Sequence, residues 1–180
     1  MINSKNSVFI ATSLDGYIAD KNGDLKWLHA IPNPEKTDMG YAHFMEGIDA
    51  LVMGRHTFET VCGFDVEWPY SKPVFVLSNT MNEVPNAYKE KAFLVNGNLN
   101  EVLDKLHQMQ FLRLYIDGGR TINNFLKADL IDELIITTIP ILLGGGIPLF
   151  RELHEELNFE LVSTGTFLNQ IVQSHYRRKK

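Results

Sequence analysis

The sequence predicts an α/β fold built on a mostly parallel sheet, and two observations predict it. Short apolar runs rich in β-branched and aromatic residues alternate with segments of helical periodicity. Such alternation implies crossover connections, which join parallel strands. The last fifth of the chain changes rhythm, with two strand-like runs and no helix between them, which reads as an antiparallel hairpin added to the sheet edge.

Each element follows from local pattern. Residues 8–12 (VFIAT), 50–53 (ALVM), 74–77 (VFVL), 93–95 (FLV), 112–116 (LRLYI) and 134–139 (LIITTI) have strand character. Helices are expected over 41–47, 57–62, 100–110 and 121–128, where apolar residues recur every three or four positions; Val102, Leu103, Leu106 and Met109 give the clearest stripe. The closing hairpin pairs 159–164 with 171–176 through a segment containing Gly165 and Asn169. Residues 31–40 and 63–73 are long loops, of the kind that tends to border sites.

A chain of 180 residues with 44% hydrophobic and 22% charged content suits one domain over 1–180 with a single buried core. The formal charge of −5 argues against a nucleic-acid surface, which draws on excess Lys and Arg. Cys62 is the single cysteine, so no intrachain disulfide forms, and no run of about 18 apolar residues is present to span a bilayer. These features favour a soluble, cytoplasmic protein.

Two strand-to-helix junctions share one design: Gly54-Arg55-His56-Thr57 after ALVM, and Gly118-Gly119-Arg120-Thr121 after LYID. A helix N-terminus offers free N–H groups, glycine lets a phosphate approach the backbone, and arginine adds a fork of donors. Two such turns could hold two phosphates of one dinucleotide. Each by itself is no more than a tight turn, and neither fits the Walker or Rossmann fingerprint, so the pairing carries the reading. A third cluster, Gly144-Gly145-Gly146, flanked by Pro140 and Pro148, reads equally as a sharp turn or a ligand contact.

The blocks SLDGYIAD, DALVMGRHTFETV, KPVFVLSNT and LYIDGGRTINNFLKADLIDELIITTIPILLGGGIPLF, in that order, resemble the dihydrofolate reductase-like superfamily. The nearest branch is the reductase domain of the bifunctional riboflavin-biosynthesis deaminase-reductase, and the resemblance covers roughly residues 8–177. It implies a three-layer sandwich with an eight-stranded sheet, NADPH as cofactor, a small heterocyclic substrate and a homodimer. Carried over, Gly54, Arg55 and Thr57 resemble the first phosphate turn, with Arg55 near the 2′-phosphate. Ser78 and Asn79 resemble the adenosine-side loop, and Gly118, Gly119, Arg120 and Thr121 the pyrophosphate turn. Ala11, Asp15, Gly16 and Ile18 would lie beside the nicotinamide. Asp117 stands where the folate enzymes usually have the first of three glycines, a pattern familiar from the riboflavin branch.

Hydride transfer also needs a proton source. Asp38 is the first candidate, with Asp15 and Glu59 behind it, and Asp38 reads alternatively as a helix cap. Trp27, Trp68, Tyr41, Phe44 and Tyr70 could stack a flat ring or could plug the long loops onto the core, the latter favoured for Phe44. No metal-ligand spacing or nucleophile elbow is present. Three readings stand: an NADPH-dependent reductase similar to 5-amino-6-(5-phosphoribosylamino)uracil reductase, a true dihydrofolate reductase, or a non-catalytic nucleotide-binding module. The chain carries no deaminase segment with its zinc ligands.

Overall fold

The computed structural model describes residues 4–180. Its elements in chain order are β1 (Lys5–Ser13), β2 (Tyr17–Ala19), α1 (Tyr41–Glu46), β3 (Ala50–Gly54), α2 (Arg55–Cys62), β4 (Val74–Leu77), β5 (Ala92–Val95), α3 (Leu99–Gln108), β6 (Arg113–Asp117), α4 (Gly119–Lys127), β7 (Glu133–Ile139), β8 (Ile147–Pro148), β9 (Phe159–Phe167) and β10 (Ile171–Arg178). Eight strands form one sheet in the order β5-β4-β3-β6-β1-β7-β10-β9. Strands β1 and β3 to β7 are parallel. Strand β10 runs antiparallel to both β7 and β9. The expected α/β class and C-terminal hairpin are therefore present.

Helices cover both faces of the sheet. In β3 alternate side chains point to opposite faces, so Ala50 and Val52 enter one core and Leu51 and Met53 the other. The first core is completed by Val102, Leu103 and Leu106 of α3 and by Ile122, Phe125 and Leu126 of α4. The second receives Met45 of α1 and Phe58 of α2. Burial on both faces explains why β3 is an unbroken apolar run, with no alternation of apolar and polar residues.

Two local expectations change, and the triple glycine, open between turn and ligand contact, takes turn geometry. The hairpin is longer than expected, and Gly165 lies within β9, paired with Gln173. The reversal is made by Leu168 and Asn169, at φ 50° and 58°. A side-chain-bearing residue such as Leu168 in the left-handed region is not a signal that composition provides. Strands β2 and β8 pair with each other outside the main sheet and were not expected, because three and two residues are too short for periodicity to register. The triple glycine makes a sharp turn: all three φ are positive, and a Cβ on Gly146 would overlap the carbonyl of Ala19. The loop therefore packs directly on β2.

Among the described residues no helix is long and apolar enough to cross a membrane, and no cluster of His, Cys, Asp and Glu could hold a metal ion.

Candidate functional site

Strands β3 and β6 are neighbours, with Val52 opposite Ile116 and Met53 opposite Asp117, so their C-terminal ends bring the two glycine turns side by side. The turns interlock. A Cβ on Gly54 would lie 3.0 Å from the Thr121 hydroxyl oxygen, and a Cβ on Gly118 would overlap the hydroxyl of Thr57. Gly118 is also at φ 87°, a region other residues rarely enter.

Helices α2 and α4, which start at these turns, have no side chain capping their first N–H groups. The other two helices are served locally. Asn98 and Glu101 form a reciprocal capping box on α3, and the Asp38 carboxylate accepts from Gly40 N–H at 3.0 Å and Ala42 N–H at 2.8 Å at the start of α1. The donors of α2 and α4 are thus left for a ligand, where the helix dipoles favour negative charge.

A cleft of about 670 Å³ opens over these helix ends. Of the expected residues it gathers Gly54, Arg55, Thr57, Ser78, Asn79, Arg120 and Thr121. It adds Asn124 and Lys127, which the sequence reading missed. Their signal was available: Arg120, Asn124 and Lys127 are spaced to share one exposed face of α4. Three cations line the cleft and no carboxylate does. The Ser78 hydroxyl accepts from Thr80 and Met81 N–H, shaping the turn after β4. The Arg55 guanidinium reaches the Thr80 hydroxyl at 3.4 Å. A volume in the usual range for ligand pockets, together with this donor set, fits a phosphorylated dinucleotide.

Gly118 and Gly119 form the turn below Arg120, while Ala11, Asp15, Gly16 and Ile18 lie outside the cleft. A Cβ on Gly119 would meet Ile18 Cδ1 at 2.6 Å, so this glycine admits the Ile18 side chain and the turn and β2 touch directly. Ala11 is part of a small cluster with Trp27, Ile139 and Ile171. The Asp15 carboxylate accepts from the Ser13 hydroxyl at 2.6 Å and from the N–H groups of Leu143 and Gly144 at 3.1 and 2.7 Å. These bonds, the Ser13 hydroxyl first, hold its pKa below the usual carboxylate value.

The acids named as proton donors all have local partners. Asp38 is exposed, and the Ala42 and Gly40 N–H groups lower its pKa, which favours an ionised cap. Glu59 is half exposed beside Arg55 at 3.6 Å and does not line the cleft.

Asp117 differs. Burial pushes its carboxyl up, opposed by the N–H of Gly118 at 2.8 Å and by the hydroxyls of Tyr70 and Tyr115. The Tyr115 hydroxyl also donates to the Phe9 carbonyl at 2.8 Å, which ties this group to β1. Tyr41 and Tyr70 are raised by the same desolvation, Tyr41 to about 12. The sequence reading noted Asp117 in the glycine turn without assigning it chemistry, because its tyrosine partners come from a distant loop and from its own strand.

The aromatic loop residues are largely packing. Trp68 contacts Phe58, Tyr70 and Tyr88, and Phe44 stacks on Phe9 and Tyr115, as favoured for Phe44. Trp27 is buried with Ile139 and Ile171.

Comparison with known proteins agrees with this architecture. The chain is 37% identical over 177 residues to YwjB of Bacillus subtilis (strain 168), covering 97% of this chain and 98% of that protein. A crystal structure of a candidate riboflavin biosynthesis protein from Shewanella sp. PV-4 superposes with a TM-score of 0.96 at 57% identity, covering 98% and 99% of the two chains. The dihydrofolate reductase of Enterococcus faecalis complexed with NADP(H) shares the fold, with a TM-score of 0.67 at 21% identity over 99% of each chain. Residues 6–173, which contain both interlocked turns and the strands that carry them, match the model of the RibD C-terminal domain, and the chain belongs to that family.

Proposed function

We propose that the protein is an NADPH-dependent reductase delivering hydride to a small pyrimidine- or pteridine-type compound, in the manner of 5-amino-6-(5-phosphoribosylamino)uracil reductase. The observation that carries the reading is the cleft in which two uncapped helix starts meet Arg55, Arg120 and Lys127 with no carboxylate. The bound dinucleotide would supply the hydride. Gly118, Gly119 and Thr121 would hold its pyrophosphate, Arg55 its 2′-phosphate, and Ser78 and Asn79 the adenosine side. Ala11, Asp15, Gly16 and Ile18 would border the nicotinamide ring.

The chain's own proton donor in this reading is Asp117, at the strand end next to the pyrophosphate turn. Burial raises its proton affinity, so that it would hold a proton to higher pH than an ordinary carboxyl and could give it to the atom beside the reduced carbon. A second reading, true dihydrofolate reductase, is less well supported. It needs an acid under the pterin, whereas Asp38 is spent on a helix cap and Glu46 of α1 is exposed and paired with His43 at 3.1 Å.

Loss of NADPH absorbance with the ribosylaminouracil intermediate, dihydrofolate and simple pterins, run side by side, tests the proposal. Turnover of the uracil compound alone is expected. Turnover of dihydrofolate alone would favour the second reading, and binding of NADPH with no turnover would favour a non-catalytic module. Arg55→Ala should weaken NADPH by about 1.5 to 3 kcal/mol and leave NADH nearly unchanged.

A further inference from the structure

Asn123 is 3% exposed in the middle of α4, between Ile122 and Leu126 of the core. A residue such as leucine would suit both the helix and its surroundings better, because asparagine has poor helix propensity and its amide is costly to bury. Its burial is tolerated because both its N–H groups and its oxygen are bonded. The side-chain NH₂ donates to the Gly119 carbonyl at 2.7 Å and to the Leu149 carbonyl at 2.6 Å, and its oxygen accepts the Arg151 N–H at 2.9 Å. One residue thereby joins the pyrophosphate turn to the segment 147–151.

That segment is a strap across the turn. Ile147 pairs with Ala19 and Pro148 with Tyr17, and Leu149 N–H donates to the Gly16 carbonyl at 2.9 Å. Ile18 and Ile147 are the atoms a side chain on Gly119 would meet, at 2.6 and 3.7 Å. Asp15 holds the chain just ahead of the strap through Leu143 and Gly144.

We propose that Asn123 is a positioning residue that locks the strap 147–151 to the Gly118-Gly119 turn, so that turn and strap open and close as one unit. Resting on the cofactor reading of that turn, the lock sets the shape of the pyrophosphate cradle from below, without contact with the ligand. The polar groups facing Asn123 are the backbone groups of Gly119, Leu149 and Arg151, whereas the charged side chains nearest in sequence, Arg120, Lys127, Arg151 and Glu152, are exposed.

Asn123→Asp turns the lock into a pH-dependent one. As a carboxylate it would keep the Arg151 bond but repel both carbonyls, and as a neutral acid it could donate to one of them. Hydrogen exchange of the full chain, corrected for intrinsic rates, is the readout. At about pH 8 the variant should lose protection about tenfold or more in residues 118–122 and 145–151 together, regain most of it near about pH 5.5, and keep parent protection in β1 and β7. Asn123→Ser, which can still donate to Gly119, should loosen the strap and spare the turn. Parent-like protection of both segments at the higher pH would overturn the proposal. So would a loss spread evenly over the domain in both variants.

NADPH titration runs beside it. The Asp variant should bind about tenfold or more weakly at the higher pH and recover at the lower. A parent that does not bind NADPH would remove the cofactor reading, and the exchange data would still decide the lock.

Discussion

The hydroxyl of Thr57 occupies the space that a side chain on Gly118 would need, and the Thr121 hydroxyl stands 3.0 Å from the corresponding point on Gly54. Each threonine lies three residues after one glycine and packs against the other. The two turns therefore constrain one another, and the cleft above them depends on both.

Gly118→Ala should destabilise the fold by roughly 1 to 3 kcal/mol in urea unfolding, through the strained φ and the overlap with Thr57, and should weaken NADPH as well. Adding Thr57→Ala removes the hydroxyl overlap, keeps a tight 3.1 Å approach of the two Cβ atoms and leaves the strain. The double mutant should recover part of the loss, and simple additivity would show that the turns do not interlock.

Asp117→Asn should lower turnover by about 10²-fold or more with little change in NADPH affinity. With Asp117 as the proposed donor, its proton must be in place, and burial raises its pKa, so activity should fall as pH rises through that raised value. The same sign holds for stability: the native state binds the proton more tightly than the unfolded chain, so this contribution is lost as pH rises. A variant with the parent's pH profile would move the proton source elsewhere.

Asp38→Asn should keep turnover within a few-fold of the parent, because asparagine caps a helix as well as aspartate does. Parent stability gained from the lowered Asp38 pKa is present above the usual carboxylate range and disappears as pH falls through the folded value. That acid limb should be missing from the variant's melting profile, and a large loss of activity would restore Asp38 as the donor.

We propose a homodimer. Strand β9 is an unpaired sheet edge, with Leu161 and Val162 exposed on it and Val172 exposed on β10. Light scattering should give twice the 20.5 kDa chain mass, and Leu161→Lys with Val162→Lys should shift the particle toward the single-chain mass. A single-chain particle for the parent would contradict the expectation.

The sequence alone determined the class, the six parallel strands of the main sheet, the hairpin and the two glycine turns, because each depends on short-range patterning: apolar runs, helical spacing and glycine before arginine at a strand end. It also brought Arg55, Ser78 and Arg120 to one list through resemblance. It did not separate the two roles of Asp38, since an acid at a helix start looks the same whether it caps or catalyses. Only the tertiary structure decided that Asp38 is engaged by Gly40 and Ala42, that Gly119 faces Ile18, and that Asp117 lies beside Tyr70 and Tyr115. Those facts depend on groups many residues apart, and burial, which shifts a carboxyl's proton affinity and makes an amide such as Asn123 costly unless bonded, exists only once the chain has packed.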